Sequence, residues 1–293
     1  MPRHPLAEVF GFPPHSFSSE AKRARKSRLC PHNNRVPSCT KDKANDPLGV
    51  CSIHDGDELA ITCPVRFRQE WLIAEHAADF FFSEDSRWTT LTEVRLDDRN
   101  GKSAGNIDVV LVSYDDRGRL LDFGALEVQA VYISGNIRQP FERYMKTPEK
   151  IGSFDWSGNK LYPRADYLSS SRKRLAPQLI YKGGILHSWG KKQAIALHSG
   201  FYKTLPKLPE VKRDRADVAW LVYDLQLDSS RQRYNLTLSK TVYTQFKSAL
   251  DKITMPEPGP IKNFIEHLQS RLDEKSEDNN PPDAPTLTDL LES

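Results

Sequence analysis

A chain of 293 residues with 38% apolar and 28% charged side chains can bury one large core or two modest ones. It carries no apolar run near the roughly 18 residues that a bilayer-spanning helix needs, and no apolar leader at its N-terminus, so a cytoplasmic, non-membrane protein is expected. The net charge of +3 hides an asymmetry: residues 132–215 hold 17 Lys+Arg against 6 Asp+Glu, whereas residues 266–293 hold 2 against 8.

In chain order, residues 6–10 form a short apolar patch that Gly11, Pro13 and Pro14 break off. Ser18 and Ser19 before a basic stretch ending at Arg28 predict a capped helix. Residues 30–64 are loop-rich, with two short strands expected at 50–53 and 59–62. The spacing of Trp71, Leu72, Ala78 and Phe82 predicts a helix over 70–82, followed by a strand at 89–96 carrying Glu93. A basic, Pro-punctuated stretch follows residue 131, then a helix over 165–182 that Pro177 should kink or divide. Strands are expected at 193–197, 218–225 and 234–238. Val242, Phe246, Ala249 and Leu250 make one helical face, and Ile261, Phe264, Ile265 and Leu268 another. From Asp273 the acidic, Pro/Asn-rich composition predicts disorder, with a short helix at 287–291.

All four cysteines, Cys30, Cys39, Cys51 and Cys63, fall in the first quarter of the chain. Disulfides are disfavoured in the cytosol, and a segment so poor in apolar residues needs another source of order, so a tetrahedral four-thiolate metal site fits. His32 and His54 are competing ligands. Iron and zinc both accept such a donor set.

The most informative stretch runs from residue 105 to 131. Two Val/Leu-rich runs flank the turn formers of Asp115-Asp116-Arg117-Gly118, which reads as a hairpin. Alternation turns Glu127 and Gln129 to the same side as Phe123, Ala125 and Val131, and pairing through that turn sets Asp108 roughly opposite Glu127. Two carboxylates in an apolar setting repel one another and lose solvation. A hard divalent cation such as Mg²⁺ resolves the conflict. So does a strand end facing water, or an arginine partner. The basic block between 132 and 215, interleaved with aromatic residues, suits a polyanion partner or an ordinary solvated face.

Asp108 followed by Glu127-Val128-Gln129 resembles the frame of the PD-(D/E)xK nucleases. With Cys30-Pro31, Cys39, Gly49-Val50-Cys51, Cys63-Pro64, the run 123–129 and Gly135, the chain resembles the NotI/EagI family of type II restriction endonucleases over about residues 6–250. The resemblance implies an α/β (α+β) restriction-endonuclease core, a mixed central sheet flanked by helices, over residues 69–272. A four-cysteine metal-binding module would occupy 1–68 and an acidic tail 273–293. It implies a homodimer cutting double-stranded DNA at a GC-rich palindrome with Mg²⁺, beside a cognate DNA methyltransferase in a prokaryotic host. Carried over by position, Asp108 and Glu127 ligate Mg²⁺. Gln129 stands where most of the superfamily has Lys, Glu93 is a fourth member of the site, and the four cysteines bind a structural iron or zinc. Asn136, Arg138, Gln139 and Arg143 are candidates for reading bases, and Arg172 and Lys173, with Arg174, for holding the DNA backbone. The competing readings are a non-catalytic DNA-binding protein that reads through the four-cysteine module, and a repair-type nuclease of the same fold.

Overall fold

The computed structural model describes residues 4–277 apart from 34–35, 44, 154–155 and 157–158. Strands β1 (Leu6–Val9), β2 (Val50–Asp55) and β3 (Glu58–Ile61) form a small antiparallel sheet in that order. Helix α1 (Ser19–Lys26) lies in sequence between β1 and β2, and its first turn is capped by Ser18, which accepts the Ala21 N–H. Helix α2 (Leu72–Phe81) follows a 3₁₀ turn, Pro64–Trp71, that ends with Glu70 and Trp71 in the left-handed region.

The main sheet contains β4 (Trp88–Asp97), β5 (Ser103–Tyr114), β6 (Leu120–Gln129), β7 (Gln193–His198), β8 (Val218–Asp228) and β9 (Arg233–Thr244). Their spatial order is β9-β8-β7-β6-β5-β4. β4, β5 and β6 run as an antiparallel meander, β6, β7 and β8 are parallel, and β9 returns antiparallel. Between β6 and β7 come α3 (Arg138–Lys146) and a helical run over 167–188, here α4. Helices α5 (Phe246–Thr254) and α6 (Ile261–Glu277) close the described chain.

Strand alternation gives the sheet two apolar faces. One carries Val109, Leu111, Leu126, Val128, Ala194 and Leu221 against Ile73, Ala77 and Phe81 of α2. Gly124 lets that helix close in, since a Cβ there would stand 2.4 Å from the Phe81 ring. The other carries Ile195, Leu197, Trp220 and Val222 against Leu175 and Leu179 of α4 and Phe246 of α5.

Several elements depart from the expected pattern. Pro177 does not divide α4: the run continues to 188, with π turns at Ser171–Leu175 and Leu179–Gly183 on either side of it. A proline lacks the N–H of the regular ladder, and wider turns around it change which carbonyls need a donor. Val242 belongs to β9 rather than to a helix, because that strand runs on to Thr244, past the expected edge segment. α3 forms where an irregular stretch was expected. Residues 273–277 are helical, and the expected disorder and short helix beyond them lie outside the described residues. Among the described residues no helix is long and apolar enough to cross a membrane. The chain divides into two compact units after Thr254. In the second, α6 exposes Ile261, Phe264, Ile265, Leu268 and Leu272.

Within the first unit, one wholly buried ion pair joins the small sheet to the large one. Arg66 Nε lies 3.0 Å from both oxygens of Glu8 on β1, and Ser52 donates to the same carboxylate. Arg66 also donates to Gln69 and to the Tyr234 carbonyl of β9, while Gln69 accepts the Leu236 N–H. Removing one member strands a charge in a dry interior. Glu8→Ala is therefore expected to cost about 3–5 kcal/mol in urea unfolding, and a loss below about 1 kcal/mol would contradict that role.

Candidate active site

The β5–β6 ladder sets Val109 opposite Leu126 as its last pair. One step further the register brings Asp108 against Glu127, and the Val128 N–H is taken by Asp108 Oδ2 at 2.8 Å. Both carboxylates and Gln129 belong to the sheet face that α4 covers. Glu127 is 7% exposed, Gln129 is fully buried, and Asp108 is half-buried.

Helix α4 answers Glu127 and Gln129 of β6 with a polar side chain each. Lys182 Nζ donates to Glu127 Oε2 at 2.6 Å and to the Asn106 carbonyl of β5 at 2.7 Å. Gln129 donates through its amide nitrogen to Gln178. Gln178 and Lys182, four residues apart on α4, thus meet Gln129 and Glu127, two residues apart on one face of β6. The space among these side chains is about 10 Å³, room for one water at most.

Burial, then the neighbouring Asp108 charge, raises the Glu127 pKa to about 8, against the opposing pull of Lys182. Glu127 Oε1 and Gln129 Oε1 are buried and receive no hydrogen bond. Buried oxygens without donors beside a second carboxylate are the donor chemistry of a hard cation. They fit Mg²⁺ in kind, although no three His, Cys, Asp or Glu side chains among the described residues are arranged to hold a metal ion.

Glu93 lies on β4 between the pairs Thr92↔Val109 and Val94↔Ile107, which sets its backbone level with Asp108. Its φ of 57° interrupts the ladder there, and its exposed carboxylate is 3.9 Å from Arg68. Left-handed backbone at a non-glycine strand position is strained, and such strain collects at functional sites.

The sequence did not reveal Lys182 or Gln178. A signal was present: Leu175, Leu179 and Leu186 make the buried stripe of α4, and Lys182 occupies the stripe position between the last two. A lysine among such leucines has a buried partner to meet.

The four cysteines come together between the small sheet and the loop after α1. The Cys63 N–H donates to the Cys51 carbonyl, and the Cys30 N–H to the Pro37 carbonyl. Each thiol feels its neighbours electrostatically, Cys63 with Cys30, Cys39 and Cys51. Backbone N–H groups of His32 and Asn33 near Cys30, and of Lys41 near Cys39, pull those thiols down, and the Asn33 N–H also donates to the Cys30 carbonyl. Burial works the other way, lifting Cys30 to about 11 and Cys51 well above its ordinary value. The ready-made four-cysteine iron or zinc centre expected from the sequence is not found in ligand geometry among the described residues. Burial favours neutral thiols, and Cys51 points to the Gly49 carbonyl.

The expected DNA contacts fall on α3 and α4. Asn136, Gln139 and Arg143 are exposed and, with Arg138, Glu142 and Lys146, line a shallow groove of about 400 Å³. Asn136 Oδ1 accepts the Gln139 N–H. The Arg138 guanidinium is already engaged by Asp42 at 2.5 Å and Asp46 at 2.8 Å, so it ties α3 to the loop between Cys39 and Cys51. Arg172 and Lys173 are exposed, and Arg174 lies over the Tyr132 ring.

A protein-family model described as restriction endonuclease NotI matches residues 15–236. No curated protein matches the chain.

Folded Glu127 keeps its proton up to about pH 8, far above the ordinary carboxylate range of the unfolded chain. Its stabilising contribution is complete below that range and lost as pH rises through about 8. In EDTA, the melting temperature of the wild type is expected to fall relative to Glu127→Gln between about pH 5 and pH 9. Parallel curves for the two proteins would contradict the raised pKa.

Proposed function

Because the chain belongs to the NotI restriction endonuclease family, we propose that it is a type II restriction endonuclease that cuts double-stranded DNA at a GC-rich palindrome with Mg²⁺. The observation that supports this site is the pair of donor-free buried oxygens, Glu127 Oε1 and Gln129 Oε1, next to Asp108. Asp108 and Glu127 would hold the ion, with Glu93 as a further carboxylate from the neighbouring strand.

When bound, Mg²⁺ supplies Lewis acidity to a phosphoryl oxygen and lowers the pKa of a coordinated water. Gln129 has no basic atom at neutral pH, so its part is to hold the attacking water by hydrogen bonds. In-line attack at phosphorus breaks the bond to the 3′ oxygen and leaves a 5′ phosphate and a 3′ hydroxyl. On this reading Asn136, just before α3, and Gln139 and Arg143 on it would read base edges, and Arg172 and Lys173 would hold phosphates. Arg138 acts on this reading by fixing α3 to the cysteine loop. A palindromic target suits a homodimer, since a two-fold site matches a two-fold protein. A cognate methyltransferase in a prokaryotic cytoplasm would protect the host DNA.

Bacterial genomic DNA incubated with the purified protein and Mg²⁺ is expected to give discrete fragments. Asp108→Asn and Glu127→Gln should each lower cleavage by at least about 10²-fold while DNA binding in EDTA persists. A smear would point to a nuclease without a defined site, and cleavage at the wild-type rate in either variant would remove that residue from the site.

The four thiols on this reading close around a structural iron or zinc, helped by the N–H groups aimed at Cys30 and Cys39. Elemental analysis of the purified protein should find about one such ion per chain, lost with Cys63→Ser together with thermal stability. A metal-free protein of unchanged stability would show the cysteines to be plain core residues.

A further inference from the structure

We propose that Lys182 is a positioning residue of this site, the basic group that strand β6 does not supply at Gln129 and that α4 delivers from across the sheet. The inference rests on the reading of Asp108 and Glu127 as a divalent-cation site.

The geometry is specific. A single ammonium ties both strands of the ribbon, through the Glu127 carboxylate on β6 and the Asn106 carbonyl two residues before Asp108 on β5. Lys182 is 4% exposed, so this is not a surface ion pair of small worth. By engaging Oε2 it fixes the rotation of the carboxylate and leaves Oε1 as the oxygen without a donor.

The local fold is arranged for this reach. Lys182 lies in the π turn Leu179–Gly183, and the next residue, Gly183, lets the turn press inward. A Cβ at 183 would stand 2.7 Å from the Phe246 ring and 3.0 Å from Gln193 Oε1, whose amide group donates to the Gly183 carbonyl. One helical turn earlier, Gln178 occupies Gln129. Position 129 therefore carries an amide matched to an amide, and the positive charge arrives from the helix. Residue 182 also lies inside the stretch matched by the family model.

The test moves the lysine. Lys182→Met keeps the apolar stem and removes the charge, and Lys182→Met with Gln129→Lys restores a lysine from the strand side. Mn²⁺ binding by the free protein is followed by electron paramagnetic resonance, and cleavage on genomic DNA with Mg²⁺. Loss of a group that orients a metal ligand costs about 10–100-fold in metal affinity or activity. Lys182→Met is expected to lose that much in both, and the double variant to regain at least about tenfold in both.

Unchanged Mn²⁺ affinity in Lys182→Met, with the wild type binding normally, would overturn the role of Lys182 and leave the metal site standing. Loss in Lys182→Met that the relocated lysine does not repair would assign Lys182 to packing and overturn the proposal equally. A wild type that binds no Mn²⁺ would remove the underlying site and this inference with it.

Discussion

The structure around the site follows from one constraint: the β5–β6 register sets two carboxylates side by side on a face that a helix buries. Neither Asp108 nor Glu127 can turn away without shifting the ribbon by a residue, which would move every apolar neighbour to the wrong face. The surrounding chain offsets that repulsion in three ways. The Val128 N–H satisfies Asp108, Lys182 engages one oxygen of Glu127, and burial favours a retained proton on Glu127. Two oxygens receive no donor, Glu127 Oε1 and Gln129 Oε1, and the proton retained on Glu127 serves the first only by bonding to the Asp108 carboxylate. A fold selected for stability alone would exchange such a cluster for Val and Leu, since buried charges rarely gain more from each other than they lose from water.

The same reasoning separates this cluster from the Glu8–Arg66 pair. The members of that second buried network all have partners, and together they connect β1, the 3₁₀ turn and β9. It ties the small sheet to the 3₁₀ turn and to β9. One network is closed and the other is open, and the open one has the chemistry of a site.

The sequence made legible whatever depends on local pattern. The hairpin about Asp115–Gly118, the common side of Glu127 and Gln129, and the opposition of Asp108 follow from period-two alternation and a turn signal. The cap of α1 and most strands were readable for the same reason. Non-local features were not. Arg138 looked like a free basic side chain because nothing nearby in sequence announces Asp42 and Asp46, about ninety residues earlier. α3 was hidden by its proline and its charges, and the continuity of α4 by Pro177, whose effect on a helix depends on whether wider turns form around it.

Lys182 shows how far such reading extends. Strand arithmetic names the residue two places after Glu127, and it finds Gln129. Nothing in β6 says that a lysine fifty-five residues later will meet the same carboxylate. The pairing does make a rule, however: strand residues i and i+2, which share a face, are met here by helix residues j+4 and j. On α4 the polar pair at that spacing, inside an apolar stripe, is Gln178 and Lys182. A strand that carries the carboxylate of a candidate site but no lysine thus directs the search to the buried stripe of the helix above it, where the charge has to interrupt a run of leucines.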